Sequence, residues 1–330
     1  MGRYLVTGGA GYVGSHTVLA LLDRGDQVVV LDDLSKGHRA AVPACATLVN
    51  GRCDDPKAVA AAFALGPFDA VLHFAALSLV GDSMRDPMRY IGENLAGVTC
   101  VAGAAVKTGV RKFVLSSTAA LFGFPERVPI DETQRLEPVS AYGESKLVCE
   151  RALDWADRVH GMRFAALRYF NAAGADPDGR AGEDHDPETH LVPLAIGAAM
   201  GTRPPLTVFG TDYDTPDGTC IRDYVHVTDL ADAHLRVLPL LEERSVRYNL
   251  GNGTGYSVKQ VIETVGRIGG RPVPHSTGPR RAGDPTVLVA SSEKLRMETG
   301  WAPTFPDLED IVRTAWTWHA AHPQGYNKLG

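Results

Sequence analysis

Residues 3–22 read RYLVTGGAGYVGSHTVLALL, and this stretch decides the fold. A short apolar run ends in a glycine-rich turn, and apolar residues at helical spacing follow that turn. Strand, glycine turn and helix in this order let the backbone approach a pyrophosphate closely. Gly9, Gly11 and Gly14 fit GxGxxG, while Gly8, Gly11 and Gly14 fit GxxGxxG. The stretch therefore predicts a dinucleotide-binding turn between the first strand and the first helix.

The second predicted strand, residues 27–31, ends in Asp32 and Asp33, about 20 residues beyond the glycines. An acidic side chain at this place accepts a hydrogen bond from a ribose 2′-hydroxyl and would repel a 2′-phosphate. We therefore predict NAD rather than NADP as the cofactor. Strand and helix patterns alternate onward to Arg168, which predicts an α/β fold with a doubly wound parallel Rossmann sheet.

The pattern of the chain changes after Asn171. Residues 174–187, GADPDGRAGEDHDP, are polar and rich in glycine and proline, as expected of a loop or a boundary. Shorter helices and strands follow. We predict an NAD-binding domain over residues 1–175, to which a returning segment at about 224–250 belongs. Residues 176–223 and 251–330 are predicted to form a smaller C-terminal α/β substrate domain.

Composition argues against nucleic-acid and membrane partners. The chain of 330 residues carries a formal net charge of −6 and no dense run of lysine and arginine. No apolar run approaches roughly 18 residues, and the N-terminus enters a strand directly instead of a secretion signal. The 5 cysteines have no CxxC spacing and the histidines no convincing ligand spacing. We predict a cytoplasmic protein with free thiols and no metal site.

Tyr142 and Lys146 are four residues apart, so they share one face of a helix. A tyrosine with an ordinary pKa of about 10 needs roughly 4 kcal/mol to act as a base near pH 7. One cation about 5 Å away supplies roughly 3 kcal/mol of this, and a positively charged nicotinamide supplies the rest. The hydroxyl of Thr118 or Ser117 can pass a substrate proton to the phenolate. Such a pair is also common on exposed helices, but together with the glycine turn it favours hydride transfer.

Six segments in order resemble the extended short-chain dehydrogenase/reductase family: TGGAGYVG, LDDLS, HFAA, LSSTA, YGESK and LRYFNAAG. Within it, the UDP-glucose (UDP-galactose) 4-epimerase family is similar to this chain in the segments GTCIRDYVHVTDLADAH, YNLGNG and RRAGDP. This resemblance runs essentially end to end. It implies an isomerase of galactose metabolism that epimerises a UDP-hexose reversibly through a transient 4-keto sugar and enzyme-bound NADH. It also implies a homodimer that pairs helices at about 81–107 and 140–160.

The resemblance carries over residue by residue. Tyr142 would be the base, aided by Thr118, and Lys146 would lower its pKa and hold the nicotinamide ribose. The expected cofactor-binding residues are Gly8, Gly11, Tyr12, Val13, Gly14, Asp32, Asp33, Cys53, Phe74, Ala75, Ala76, Asn94, Tyr142, Lys146 and Tyr169. The expected substrate-binding residues are Thr118, Phe170, Asn171, His190, Leu191, Phe209, Arg222, Arg281, Asp284 and Leu288. The two arginines would neutralise the diphosphate, although each would otherwise pass for part of an ordinary surface pair.

Three residues depart from the family pattern. Arg52 stands where members usually carry an aspartate that accepts from the adenine amino group; arginine only donates. That contact is lost, or is taken over by Asp54 or by stacking of the guanidinium on the adenine. Ser78 replaces a lysine that some members place near the nicotinamide ribose. Leu288 replaces a tyrosine that narrows the sugar pocket in some members, so N-acetylated sugars are expected to fit.

Other functions on this fold leave different residues. A 4,6-dehydratase needs an acid and a base directly after Thr118, where this chain has Ala119 and Ala120. A reductase would favour a phosphorylated cofactor, which Asp32 disfavours. An NAD-sensing scaffold would be expected to lack Tyr142 or Lys146. The remaining alternative is 4-epimerisation of another UDP-sugar, such as UDP-N-acetylglucosamine, UDP-glucuronate or a UDP-pentose; the sequence does not decide which UDP-sugar is physiological.

Overall fold

The computed structural model describes residues 1–281 and 284–328, so Ala282 and Gly283 of the RRAGDP segment lie outside it. In chain order the strands are β1 (Arg3–Thr7), β2 (Gln27–Asp32), β3 (Thr47–Asn50), β4 (Ala70–His73), β5 (Lys112–Thr118), β6 (Arg163–Tyr169), β7 (Asn171–Ala173), β8 (Leu206–Phe209), β9 (Ile221–His226), β10 (Val246–Leu250), β11 (Gly255–Ser257), β12 (His275–Gly278) and β13 (Val287–Leu288). The α-helices are α1 (Tyr12–Asp23), α2 (Pro56–Phe63), α3 (Val80–Ser83), α4 (Pro87–Thr108), α5 (Ala141–His160), α6 (Leu191–Met200), α7 (Val227–Arg236), α8 (Val258–Gly269), α9 (Glu293–Thr299) and α10 (Leu308–Ala321).

Seven parallel strands form the central sheet, in the order β10-β6-β5-β4-β1-β2-β3. One face buries apolar residues of α1 and α7, including Val18 and Leu230. The opposite face buries residues of α2, α4 and α5, including Val59, Val101 and Leu153. The strands are covered by helices on both sides, which is why they read as nearly continuous apolar runs. The predicted doubly wound Rossmann sheet is confirmed.

The parallel direction of the strands brings their carboxyl ends to one edge of the sheet. Gly8 follows β1, Asp32 ends β2, Phe74 follows β4, and Thr118 and Tyr169 end β5 and β6. Ligands of open α/β sheets bind outside this edge. Residues that are far apart in the sequence therefore meet around one cleft.

Helix α5 carries Tyr142 and Lys146, and its start is fixed by a cap. The Ser140 hydroxyl accepts a hydrogen bond from the amide of Gly143 at 3.1 Å, which satisfies one of the free N–H groups of the first turn. The helix ends at Gly161, whose φ of 65° suits a glycine C-cap. The predicted start near Ser140 and end near Gly161 are confirmed.

The long helix predicted over 81–107 is divided in the structure. It forms α3 and α4, because Asp86 caps a new helix that has Pro87 in its first turn. Helix α7 is followed by a 3₁₀ turn, Leu238–Glu242, instead of a further α-helical turn. Pro239 has no N–H for a continuous α-helix, which gives the physical reason for this change.

The C-terminal part builds a second, smaller core. Strands β11, β9 and β13 form a sheet, β7 also pairs with β9, and β12 pairs with β8. Helices α6, α8 and α10 bury residues such as Ile196, Val261 and Ile311 against this region. The short strands β7, β11 and β12 were not predicted. Among the described residues, none of the helices combines the length and the apolar character that a bilayer-spanning segment needs.

Candidate active site

The turn after β1 requires two of its glycines. Gly8 has a φ of 72°, and a Cβ atom there would lie 2.5 Å from the amide nitrogen of Ala75. A Cβ atom on Gly14 would lie 2.1 Å from the carbonyl oxygen of Gly8. Both positions exclude a side chain, because real atoms do not approach so closely. Gly9 is also confined, because a Cβ atom there would lie 2.9 Å from a Val30 methyl group, so both glycine patterns fit the turn.

Helix α1 begins directly at this turn, with Gly11 as its N-cap. The first N–H groups of a helix have no partner within the helix, and the helix dipole adds positive charge. Val13 is half-buried in this first turn, while the Tyr12 hydroxyl donates to the carbonyl of Gly174 at 2.7 Å. The turn thus offers an anion-binding helix end, and Tyr12 ties it to the chain beyond β7.

Asp32 lies at the expected place for a ribose contact. One carboxylate oxygen accepts from the Ala10 amide at 2.9 Å and the other from the Leu34 amide at 2.9 Å, so its orientation is fixed. Each oxygen keeps acceptor capacity for a further hydrogen bond. Asp33 turns away and accepts from the amide and the hydroxyl of Ser35. Burial raises the pKa of Asp32.

Arg52 lies among three carboxylates close to Asp32. Its guanidinium donates to Asp54 at 2.8 and 2.7 Å and to Glu93 at 2.8 Å, and Asp33 is 3.9 Å away. These hydrogen bonds account for the lowered pKa of Asp54 and of Glu93. Arg52 is held in a network of carboxylates at the position where the family places an acceptor.

Two further predicted cofactor residues, Asn94 and Cys53, have their side chains in contact with other parts of the protein. The Asn94 side chain is engaged on both sides: it accepts from the Leu77 amide at 2.8 Å and donates to the Leu77 carbonyl and the Ser145 hydroxyl. It fixes the segment that holds Ala75 and the exposed Ala76. Cys53 lies against Gly97, where a Cβ atom would be 2.7 Å from its sulfur, and burial raises its pKa to about 12.

Tyr142 and Thr118 meet at the carboxyl edge. Burial raises the pKa of Tyr142 to about 12 and outweighs the opposing effect of the neighbouring Thr118 hydroxyl, which favours the charged phenolate. The expectation that the neighbouring lysine lowers this pKa is therefore not met by the protein chain alone. Thr118 Oγ1 also accepts from the Ala120 amide at 3.1 Å, which fixes the hydroxyl at the start of a 3₁₀ turn.

Ser117 is removed from the catalytic alternatives. Its hydroxyl donates to Glu150 at 2.6 Å, and Glu150 forms a buried ion pair with Arg168 at 2.7 and 3.0 Å. Arg247 adds a fourth hydrogen bond to the same carboxylate, at 3.2 Å. Ser117 therefore belongs to a charged network behind the sheet edge, and Thr118 is the hydroxyl beside Tyr142.

Lys146 is held by Ser116, a residue that the sequence analysis did not single out. The buried ammonium group donates to the Ser116 carbonyl at 2.9 Å, and burial lowers its pKa. The Ser116 hydroxyl also hydrogen-bonds the Tyr169 hydroxyl. Phe74 and Tyr169 both pack against the His234 ring, with ring centres 4.8 and 6.0 Å from it. Lys146 and Tyr169 are thus both tied to Ser116 at the end of β5.

Several predicted substrate residues come together on the smaller sheet. The Asn171 amide donates to the Asp223 carbonyl at 2.8 Å, and Arg222 forms an ion pair with Asp284. Leu288 lies opposite Arg222 in the pairing of β13 with β9. The Phe170 amide reaches the Leu250 carbonyl at 3.3 Å, which joins this group to the large sheet. Asn171, Arg222, Asp284 and Leu288 form one continuous wall.

Phe209 and Arg281 form a second pair on the same side of the molecule. The Arg281 guanidinium lies over the Phe209 ring, 4.3 Å from its centre, at the end of the β12–β8 pair. Arg280 makes the corresponding contact with Tyr213 at 4.2 Å and pairs with Asp212 at 2.8 Å. Arg280 is thus occupied by an acidic partner, whereas Arg281 is placed against an aromatic ring.

His190 and Leu191 lie at the start of α6, next to a cluster that the sequence analysis missed. Ligand atoms of Glu183, His185, Glu188 and His190 all lie within 4.8 Å of one another. The two carboxylates raise the pKa of His185 to about 9 and that of His190 to about 10. Their spacing in a polar loop follows no regular period, so the sequence held little signal for it.

Comparisons with known proteins agree with this geometry. A UDP-glucose 4-epimerase of Halalkalibacterium halodurans is 48% identical over 325 residues, which cover 98% of this chain and 97% of that protein. The UDP-glucose 4-epimerase from Bifidobacterium longum, solved with NAD+ and UDP, has a TM-score of 0.93 at 34% identity and covers 98% of this chain and 99% of its own. A UDP-Glc/GlcNAc 4-epimerase of Campylobacter jejuni has a TM-score of 0.84 at 40% identity, over 97% of this chain and 100% of its own. The profile of the NAD dependent epimerase/dehydratase family matches residues 4–251, and the chain belongs to that family.

Proposed function

We propose that this protein is an NAD-dependent UDP-glucose 4-epimerase that interconverts UDP-glucose and UDP-galactose through a transient 4-keto sugar and enzyme-bound NADH. The observation that carries this proposal is the position of the Tyr142 phenol beside Thr118, at the sheet edge where the glycine turn also lies. Replacement of Tyr142 by Phe should abolish conversion of UDP-galactose but leave bound NAD in place. Tyr256→Phe, in the C-terminal region, is the control and should retain full activity. A Tyr142→Phe protein with more than a tenth of normal activity would refute Tyr142 as the base.

Proton transfer at the sugar 4-hydroxyl is assigned to Tyr142, with Thr118 as relay. A pKa of about 12 must fall to near 7, which requires roughly 7 kcal/mol. One cation at about 5 Å contributes roughly 3 kcal/mol at an effective dielectric near 20. Lys146 is already present in the chain whose Tyr142 has this pKa, so the further decrease is assigned to the bound cofactor, and the positive charge of NAD+ would supply roughly 3 kcal/mol of it. Without the cofactor Tyr142 stays protonated.

The described residues fit NAD. The proposed pyrophosphate site is the turn of Gly8, Gly11 and Gly14, where added Cβ atoms on Gly8 and Gly14 would collide with backbone. Asp32 is proposed to accept from the adenosine ribose, with the remaining cofactor contacts from the residues assigned by the family resemblance. Bound NAD supplies a hydride acceptor at C4 of the sugar and then a hydride donor to the opposite face. Lys146 and Tyr169 are proposed to position its nicotinamide end.

The UDP-sugar is proposed to bind against the wall formed by Asn171, Arg222, Asp284 and Leu288. Arg222 is 13% exposed and Asp284 24%, so their ion pair faces the cleft only in part. Arg222 and Arg281 offer two guanidinium groups for a diphosphate, which they can bind by paired hydrogen bonds. Phe209 lies under Arg281 and offers an aromatic face to the uracil of the UDP-sugar.

The division into two domains is part of the proposal. Strand β10 returns to the large sheet beside β6, and α7 packs on the same face as α1. These contacts support an NAD-binding domain of residues 1–175 that regains a segment at about 224–250. The nucleotide-sugar-binding domain then consists of residues 176–223 and 251–330.

Another UDP-sugar is the alternative substrate, and Leu288 favours it. Leucine is smaller than the tyrosine of some members, and its place opposite Arg222 puts it on the proposed substrate wall. UDP-N-acetylglucosamine should therefore be epimerised, and absence of turnover at high enzyme concentration would contradict a widened pocket. Dehydration is not supported, because Ala119 and Ala120 form the turn after Thr118 and offer no acid or base. A non-catalytic scaffold is not supported either, since the Tyr142–Thr118 pair and Lys146 are in place.

A homodimer through α4 and α5 is proposed. The two helices pack side by side, and Trp155 and Val159, one turn apart on α5, are 64% and 63% exposed. Met88 on α4 is 72% exposed. Large apolar side chains in such numbers on neighbouring helices are typical of an interface. Light scattering should give twice the chain mass of 35.3 kDa; a value near 35.3 kDa at micromolar concentration would contradict the dimer.

A reducing compartment such as the cytoplasm is the proposed location. The cysteines Cys45, Cys53, Cys100, Cys149 and Cys220 are all unpaired. Free thiols are typical of proteins that are not exposed to an oxidising environment. Fractionation of the native host, with the protein detected by antibody, would test this location.

A further inference from the structure

Two glutamates and two histidines converge beside the proposed active site. Glu183, His185, Glu188 and His190 each offer one nitrogen or oxygen atom, and these four atoms lie within 4.8 Å of one another. The His190 Nδ1 atom is 2.6 Å and the His185 Nδ1 atom 3.2 Å from Glu183 Oε1, and the two nitrogens are 3.3 and 3.6 Å from Glu188 oxygens. Four ligand atoms at about 2.0–2.1 Å from a tetrahedral Zn²⁺ ion are separated by about 3.3 Å, so these spacings bracket the expected value.

Two of these atoms lie in short His–Glu contacts that do not have hydrogen-bond geometry. Glu183 Oε1 and His185 Nδ1 are buried, and neither has a hydrogen-bond partner among the described residues. The Glu183 side chain is only 3% exposed. Atoms that lie close together without such geometry are arranged as metal ligands are. A buried carboxylate oxygen without a donor is costly, and an ion at the centre would remove that cost.

The outer contacts hold the ligands in place. Glu188 Oε1 accepts from the amides of Thr189 at 2.7 Å and His190 at 2.8 Å and is also 3.3 Å from His190 Nδ1, while Oε2 is 3.6 Å from His185 Nδ1. The loop is tied to the NAD-binding region because Lys36 donates to the Asp186 carbonyl at 2.5 Å and His38 lies 2.9 Å from the Asp184 carbonyl. Such outer hydrogen bonds orient metal ligands.

We propose that Glu183, His185, Glu188 and His190 form a binding site for one divalent transition-metal ion, with Zn²⁺ as the best match. Two imidazole nitrogens and two carboxylate oxygens are a ligand set that Zn²⁺ accepts in tetrahedral geometry. In the absence of an ion the two protonated histidines balance the two carboxylates, and one divalent ion would take over that balance by displacing the two imidazole protons. The ion clamps the loop before α6 and so positions His190 and Leu191, two of the residues assigned to the substrate. This inference goes beyond the proposed function, whose hydride and proton transfers involve none of these four side chains.

The first test is the metal content of the untagged protein, purified without chelators, by mass spectrometry of the elements. We expect close to one zinc ion per chain. Glu183→Gln should lower the content to below about a tenth, and His275→Gln, an exposed histidine outside the cluster, should keep it. A Glu183→Gln protein that retains its zinc would overturn the assignment.

A second measurement works on the unchanged chain, in case the variant does not fold. Dialysis against a chelator should lower the melting temperature by several degrees, and added ZnCl₂ should restore it. The proposal is overturned if the purified protein contains no metal and its melting temperature does not change when ZnCl₂ is added. The two protonated histidines would then be the partners of the carboxylates. Conversion of UDP-galactose is followed separately, so failure of the metal proposal remains distinguishable from failure of the epimerase.

Discussion

Two adjacent hydroxyls at the end of β5 should have separable roles, catalytic for Thr118 and structural for Ser117. Thr118→Val keeps the shape of the side chain but removes the hydroxyl that contacts Tyr142. Loss of a positioned proton relay costs roughly 10²- to 10⁴-fold in rate, or about 3 to 5 kcal/mol. It also removes the cap from Ala120, worth about 1 kcal/mol of stability. Thr118→Ser should restore most of the activity.

Ser117→Ala is the matched control. The Ser117 hydroxyl donates to the buried Glu150 carboxylate at 2.6 Å, and a hydrogen bond to a charged group contributes about 1.5 to 3 kcal/mol. This variant should lose that much stability in urea unfolding but keep kcat within about threefold at a temperature where it is folded. kcat is measured by chromatography of the UDP-sugars formed from UDP-galactose. The reasoning fails if Thr118→Val keeps more than a tenth of kcat, or if a folded Ser117→Ala protein loses more activity than Thr118→Val.

Three further predictions concern stability and specificity. Glu150→Gln leaves Arg168 buried without its counter-ion and should lower the free energy of unfolding in urea by about 3 to 5 kcal/mol. The control Glu309→Gln removes an exposed ion pair and should lower it by less than about 1 kcal/mol. Equal losses of stability in the two variants would contradict a buried pair. Burial lowers the pKa of His234 to about 4, so the unfolded chain binds more protons below about 6.5, and stability is lost as pH falls from about 6.5 toward 4. His234→Leu should reduce the loss between pH 7 and pH 5 by about 2 kcal/mol, and an unchanged pH dependence would show that this histidine is not neutral when folded. Leu288→Tyr should lower kcat/KM for UDP-N-acetylglucosamine at least about tenfold and that for UDP-galactose less than about threefold; equal effects would place Leu288 away from the sugar.

The large sheet could be predicted because its signals are local and regular. Strand-length apolar runs alternate with helical patterns, and the glycine turn and Asp32 stand at the expected places along the chain. The break between α3 and α4 was missed because Pro87 follows the cap residue Asp86, a pair that starts a helix as readily as it ends one. Three-residue strands such as β7 and β11 are too short to show a period at all.

The catalytic residues could be predicted as residue types, but not every contact. Thr118 and Ser117 remained alternatives, although side chains alternate along a strand, so that Ser116 and Thr118 share a face and Ser117 points to the other. This alternation was the available signal. The raised pKa of Tyr142 in the chain without cofactor could not be predicted, because burial, which has the largest effect on it, depends on packing that the sequence does not display.

The outer parts of the site depend on contacts between distant segments. Arg52 reaches Glu93, 41 positions away, and no pattern in the sequence pairs these residues. The cluster around Glu183 lies in an irregular loop, so neither a helical nor a strand period brings its four side chains together in advance. The prediction that the chain has no metal site rested on spacing alone, which is a weak criterion in such a loop.

The central claim is tested most directly by incubating purified protein with UDP-galactose, without added NAD, and separating the UDP-sugars by chromatography. The account predicts conversion to an equilibrium mixture of UDP-glucose and UDP-galactose, with NAD recovered from the denatured protein. Absence of conversion, with or without added NAD, would contradict it. If NAD were nevertheless found in the denatured protein, another UDP-sugar would become the first substrate to test.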